Sequence, residues 1–393
     1  MTTLTQNDTE IRPAEFTTRA VRAAIASDLE HGAVVPPLHL SATFAFESFA
    51  KPRTFDYTRS GNPTRAHLAA IIADLEGGAG AVVTSSGMSA VALVLQALVK
   101  PGEMIVAAHD CYGGTQRLLR SLAARGQFEV VFTDLTCDDY FWQTAARSPR
   151  LIWVETPSNP LLRITDVTRI CAFARSAGSL VVVDNTFLSP ALQRPIELGA
   201  DVVVHSTTKY LNGHSDVVGG AVIAATSELA QELGWWGNCL GVTGAPFDSY
   251  LTLRGIRTLS ARIRIHEDNA RVIAAFLDSN DAVRHVYYPG LSNHPGHALA
   301  KRQQLGFGAM ISFEVEDGVA GVKRVVERLR HFTLAESLGG VESLVAHPAT
   351  MTHASMDAAS RERAGISDSL IRLSVGIEAV EDLCADLGSA LEA

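Results

Sequence analysis

No apolar run in this chain approaches the roughly 20 residues that a membrane-spanning helix needs. The opening stretch, "MTTLTQNDTEIRPAEF", is polar and partly acidic, without the apolar centre of a signal peptide. A cytoplasmic protein with no membrane association is therefore expected. Positive charge is also scarce. Lys and Arg total 33 against 42 for Asp and Glu, a net charge of -9, which argues against nucleic acid or an anionic membrane as a partner. Cys111, Cys137, Cys171, Cys239 and Cys384 are an odd number without paired spacing, as in a reduced intracellular protein. Neither CxxC nor HExxH occurs, so no metal is expected. Repeats and low-complexity tracts are missing too.

What is present is apolar and regularly spaced. Apolar residues make up 47% of the 393, enough for one large core and a smaller companion. Residues 1–59 read as an arm, with prolines in "HGAVVPPLHL" and turn residues closing "DYTRSGNPT". Residues 60–255 alternate helix and strand. "NPTRAHLAAIIADLEGG" sets Leu68, Ile71, Ile72 and Leu75 on one helical face, closed by Gly77 and Gly78. Short apolar strands separated by helices follow, the pattern of an α/β domain whose mostly parallel sheet is covered on both faces. One of the helices is expected over "ALQRPIELG". Residues 256–393 change to long helical stretches around two strands, "GFGAMISFEVEDG" and "SLIRLSVGIE", as in a separate α+β unit.

Ligands of an open parallel sheet sit outside the carboxyl ends of its strands, and this sequence places chemistry there repeatedly. Ser85-Ser86-Gly87-Met88 follows the first strand and opens a helix, where N–H groups and the helix dipole suit a phosphate. An ordinary glycine turn would look the same. Tyr112, before two glycines, can lie against a flat ligand or simply pack. Asn159, between Pro157 and Pro160, can donate to an oxyanion or form an Asx turn. Asp184-Asn185-Thr186 ends a run of three valines, where a carboxylate needs a cation or several donors. Ser206, Thr208 and Lys209 end the next strand; a buried lysine is equally a salt-bridge partner. His205 and His214 flank that lysine at a spacing that suits no metal, so both read as structural.

Pyridoxal phosphate has a use for all of these groups at once. It carries an aldehyde for a lysine, a pyridine nitrogen for an acid, a flat ring and a phosphate. Lys209 would take the aldehyde, and Asp184 would keep the ring nitrogen protonated. Ser206, Thr208, Gly87 and Met88 would hold the phosphate, with Tyr112 on the ring.

Nine stretches then run in order along nearly the whole chain: "DYTRSGNPTR", "SSGMSA", "DCYGGTQRL", "ETPSNPLLRITD", "VVDNTFLSPALQ", "HSTTKYLNGHSDVVGG", "FDSYLTLRG", "FTLAESLGGVESL" and "MTHASM". On these the chain resembles the Cys/Met-metabolism family of pyridoxal-phosphate enzymes. The resemblance implies the fold-type-I (aspartate-aminotransferase-like) architecture, with an N-terminal arm, a large cofactor domain and a smaller C-terminal domain. It also implies a homotetramer of two tight dimers that act on amino acids and share their active sites. Tyr57 and Arg59 would reach the neighbour's phosphate, Arg being suited by its planar fork. Thr186 would join the cofactor contacts. Arg372 would clamp the substrate α-carboxylate beside Asn159, with Ser337 nearby, and Tyr112 would assist a proton transfer. Without the resemblance, Arg372 would read as a snorkelling edge-strand residue.

Within the family, the resemblance points to the branch that replaces the acyl group of an O-acylhomoserine with the sulfur of cysteine. Cystathionine is the product, on the way to methionine. γ-Lyases and acylhomoserine sulfhydrylases share most of the motifs and stay as alternatives. Glu336 in "AESLGG" matches a position where γ-acting members carry glutamate and β-lyases often an aromatic, although a helix-start acid would read alike. The segment "WWGNCLGVTGAPFDSYLTLRG" also resembles the synthase version. Ser60 departs from the second arginine of some succinyl-using members; Arg117 is the remaining candidate for a succinyl carboxylate.

Overall fold

Asn62 and Pro63 start the regular part of the chain. The computed structural model describes residues 14–392 apart from 138, 140, 142–146, 355, 357–360 and 363. Among the described residues before Asn62, the chain forms a short helix, α1 (Phe16–Val21), and isolated bridges such as Thr43 with Tyr57. The Asn62 side chain accepts from the Thr64 and Arg65 N–H groups at 2.9 and 3.2 Å, capping α2 (Pro63–Glu76) with proline at its first position. Gly77, at φ +76°, ends it in the left-handed conformation that glycine adopts without penalty. Leu68, Ile72 and Leu75 are buried on the face expected.

Seven strands form the first sheet: β1 (Gly80–Thr84), β2 (Met104–Ala108), β3 (Glu129–Thr133), β4 (Leu151–Glu155), β5 (Leu180–Asp184), β6 (Val202–Ser206) and β7 (Gly220–Ala224). Their order is β1-β7-β6-β5-β4-β2-β3, and only β7 runs against its neighbours. The helices α3 (Gly87–Leu98), α4 (Gly113–Ala124) and α5 (Val167–Ala177) carry the crossovers. The all-apolar strands are the central ones. Every residue of β2 and β4 is buried, Ile105 and Trp153 completely, at about 1.5–3 kcal/mol per large side chain.

Two expectations for this part of the chain need correction. β3 was not anticipated, because an edge strand that is half exposed alternates too weakly to show. The helix expected over "ALQRPIELG" amounts to Ser189–Leu192. Gln193 is already extended, and Pro195 holds the preceding residue out of helical conformation.

The second sheet has five strands where two were expected: β8 (Val283–Tyr287), β9 (Met310–Val315), β10 (Thr333–Leu334), β11 (Leu344–Ala346) and β12 (Leu370–Ser374), ordered β10-β11-β12-β9-β8. β10 and β11 are too short to carry a period, and β8 is interrupted by Arg284 and His285. A long helix, α6 (Leu259–Asp278), packs on this sheet through Ile263, Ala270 and Ile273, together with α7 (Val380–Leu391). β12 lies at the centre of the sheet, so Arg372 is no edge-strand residue.

Candidate active site

The carboxyl ends of β1, β2, β4, β5 and β6 open on one cavity of about 440 Å³, closed from the other side by β12 and the segment before β11. At the end of β1, Ser86 caps α3 by accepting from the Ser89 N–H at 3.0 Å. Gly87 and Met88 line the cavity. A Cβ on Gly87 would stand 2.8 Å from the Ser206 Cβ, so the turn after β1 and the end of β6 touch only because this residue is glycine. The result is a cradle of small residues at a helix N-terminus.

The end of β2 presents Tyr112, which opens α4 and is 43% exposed toward the cavity. Its N–H donates to Glu155 Oε2 at 2.7 Å. Glu155 ends β4 and stands in register with Asp184 at the end of β5. Both carboxyls face the cavity, and burial pushes both above the usual range; for Glu155 the nearby Asp184 adds to the rise. Thr186 counteracts this at Asp184, its N–H donating at 3.0 Å and its hydroxyl also bonding the carboxylate. The Thr186 hydroxyl oxygen accepts from the Ser206 N–H at 2.9 Å, tying the ends of β5 and β6 together.

Beyond β6, the Thr208 hydroxyl accepts from the Gly219 N–H at 3.0 Å. Lys209 Nζ donates to Ser337 Oγ at 2.7 Å. Burial, and then the charge of Arg372, lower the Lys209 amine to about 8, with Glu336 pulling the other way. Arg372 is 3% exposed. Its Nη1 donates to Asn159 Oδ1 and its Nη2 to the Ser337 carbonyl, each at 3.0 Å. Burial lowers this guanidinium to about 10. Its Nε is buried with no partner among the described residues.

Of the residues singled out in the sequence, Gly87, Met88, Tyr112, Asn159, Asp184, Thr186, Ser206, Thr208, Lys209, Glu336, Ser337 and Arg372 all line this cavity. Tyr57, Arg59 and Arg117 do not. Tyr57 and Arg59 lie exposed on the arm, the guanidinium 5.8 Å from the tyrosine ring centre, and Arg117 is exposed on α4. Glu155 was missed, although an acid closing the apolar "LIWVE" carries the same signal as Asp184. Thr352 also lines the cavity; nothing in the periodicity of "MTHASM" marks it. His205 is buried and hydrogen bonds Glu76, while His214 Nδ1 meets the Asn212 carbonyl at 2.8 Å.

The profile of the Cys/Met metabolism PLP-dependent enzymes matches residues 17–392. The chain belongs to that family. It is 53% identical over 376 residues to cystathionine gamma-synthase of Escherichia coli K12, covering 96% of this chain and 97% of the relative. It is also 48% identical to a cystathionine beta-lyase of Lactococcus lactis, covering 95% and 98%. Among solved structures, cystathionine gamma synthase of Xanthomonas oryzae pv. oryzae, in complex with aminoacrylate and cysteine, superposes with a TM-score of 0.96. That protein is 59% identical, covering 97% of this chain and 98% of the other. The chain is thus a pyridoxal-phosphate-dependent enzyme of sulfur amino-acid metabolism with the fold-type-I architecture. The donor set fits the cofactor: a buried amine, an acid at a strand end facing it, and a glycine cradle that a Cβ would fill. Among the described residues, no helix is long and apolar enough to cross a membrane.

Proposed function

We propose that this chain is a cystathionine γ-synthase, exchanging the acyl group of an O-acylhomoserine, by preference O-succinylhomoserine, for the sulfur of cysteine. The observation that carries the reading is Glu336, an acid on the wall of the cavity that holds Lys209 and Arg372 and exerts its charge on both. A γ-replacement joins two amino acids, so the second ammonium needs an anion away from the first carboxylate. Bound in this cavity, pyridoxal phosphate supplies an aldehyde that engages an amine and a ring that accepts electrons from the carbons beside it.

The residues divide the remaining work. Ser206, Thr208, Gly87 and Met88 hold the phosphate, with Tyr57 and Arg59 contributed by a neighbouring copy in a homotetramer. Asp184 keeps the proton on the ring nitrogen, Thr186 fixes Asp184, and Tyr112 covers the ring. Arg372 and Asn159 grip the substrate α-carboxylate, turning Cα toward Lys209. With its pKa near 8, the Lys209 amine would take the Cα proton, hand it to the aldehyde carbon of the bound cofactor and, unprotonated again, take one from Cβ. Ser337 steadies that amine between transfers. The acyl group leaves Cγ as a carboxylate, the cysteine sulfur bonds to Cγ with Tyr112 relaying the thiol proton outward, and the Lys209 amine returns the protons to Cβ and Cα.

Ser60 is occupied by Asp56, to which its hydroxyl donates at 2.9 Å. Arg117 is the cation we assign to a succinyl carboxylate. The test is a panel of O-succinylhomoserine, O-acetylhomoserine and cystathionine, with cysteine or sulfide as the nucleophile. Cystathionine formed fastest from the succinyl ester and cysteine is the expected result. Rapid cleavage of cystathionine without its synthesis would make the chain a lyase, and a preference for sulfide would make it a sulfhydrylase.

A further inference from the structure

A line of hydrogen bonds runs from Lys209 along the cavity wall and leaves it at a residue with no role so far. Lys209 Nζ meets Ser337 Oγ, the Ser337 carbonyl accepts from Arg372 Nη2, and Arg372 Nη1 donates to Asn159 Oδ1. The main-chain oxygen of the same Asn159 faces His353 Nε2 at 3.1 Å, and His353 Nδ1 meets Thr352 Oγ1 at 2.8 Å. His353 stands behind the cavity, 1% exposed.

Its partners fix its hydrogen. A carbonyl oxygen can only accept, so Nε2 is the N–H. Burial, followed by the charge of Arg372, lowers the ring to about 4, so near neutrality Nδ1 is a bare lone pair and the Thr352 hydroxyl donates to it. One neutral tautomer therefore spans a loop of the first sheet and the chain leading to β12.

We propose that His353 is a positioning residue for the carboxylate clamp: it holds the Asn159 main chain from behind and thereby sets the amide that orients Arg372. This rests on assigning Arg372 to the substrate carboxylate. Removing His353 should impair recognition of that carboxylate and leave cofactor binding intact.

The test titrates the holoenzyme with L-homoserine and with 3-aminopropan-1-ol, the same amino alcohol without its carboxylate, following the visible band of the bound cofactor. His353→Leu is expected to weaken homoserine about tenfold or more, and 3-aminopropan-1-ol by less than about twofold, the scale of one buried partner lost at the clamp alone. His353→Gln, whose amide offers one donor and one acceptor as the neutral ring does, should restore most of the homoserine affinity. Equal weakening of both ligands, or a Gln variant no better than Leu, overturns the proposal. If Leu does not fold, His353→Asn, too short to reach both partners, is judged by the same outcomes. Arg372→Leu tests the assignment beneath. If it keeps the preference for homoserine, the clamp itself is misassigned. If it loses that preference while His353→Leu keeps it, only the role of His353 fails.

Discussion

At Lys209 the effect of the surroundings has a definite sign. Only an unprotonated amine attacks an aldehyde, so its reactive fraction grows as pH rises through about 8, not through the 10.5 of an ordinary lysine. The rate at which apoenzyme takes up pyridoxal phosphate, followed by stopped-flow absorbance, should reach half its plateau near pH 8. A half-point near 10 would mean that burial does not act on this amine. Arg372→Leu removes one of the lowering influences and should move the half-point upward. Asp184 differs in sign. Its folded pKa lies above the unfolded 3.8, so this carboxylate withdraws stability as pH rises past the unfolded value. Asp184→Asn removes that buried charge. The cofactor-free variant should melt no lower than wild type at pH 7, while cofactor binding weakens about tenfold or more, as when a charged hydrogen bond is lost. A drop in both would make Asp184 chiefly a structural residue.

Among the elements, β7 sets the spacing of the proposed phosphate cradle. It separates β1 from β6, and Gly220 pairs with Thr84 on one side and Ser206 on the other. A Cβ at Gly220 would overlap the Ser86 carbonyl. Gly220→Ala should push the Ser86-Gly87 turn away from Ser206, destabilising the protein by about 1–3 kcal/mol and loosening the cofactor phosphate. Thermal melting and cofactor dissociation measure the two effects; unchanged dissociation with normal melting would show that the turn tolerates the methyl. β6 and β7 were legible because they are buried on both faces and read as unbroken apolar runs, and β1, although at the edge, because its short apolar run ends abruptly in Ser85 and Ser86. β3, β8, β10 and β11 were not, being edge strands, interrupted or very short. The same physics sorts the site. Lys209, Asp184 and Gly87 stand out because each lies at or just beyond the end of an apolar strand, and Glu155 could have been found by the rule that found Asp184. Arg372 and Glu336 came from the resemblance, since β12 and the loop before β11 reach the cavity by tertiary packing that no local period records. His353 acts through a main-chain oxygen and leaves no trace in the pattern.

For the whole molecule, the arm poses the question. Leu29 is 95% and Phe49 101% exposed, with Phe46 and Tyr57 about half so, an amount of bare apolar surface that a single chain seldom keeps. Arg59 shares that surface, outside the cavity of its own chain. If a second copy covers the arm and receives Arg59 at its phosphate cradle, Arg59→Ala and Lys209→Ala damage sites on opposite chains. Each variant alone should be almost inactive. In a mixed pair, one site inherits both defects and the other inherits neither. Random pairing makes half of the pairs mixed, so co-refolded equal amounts should recover about a quarter of wild-type activity. Were Arg59 to serve its own chain, the two sites of a mixed pair would carry one defect each, and mixing would restore nothing.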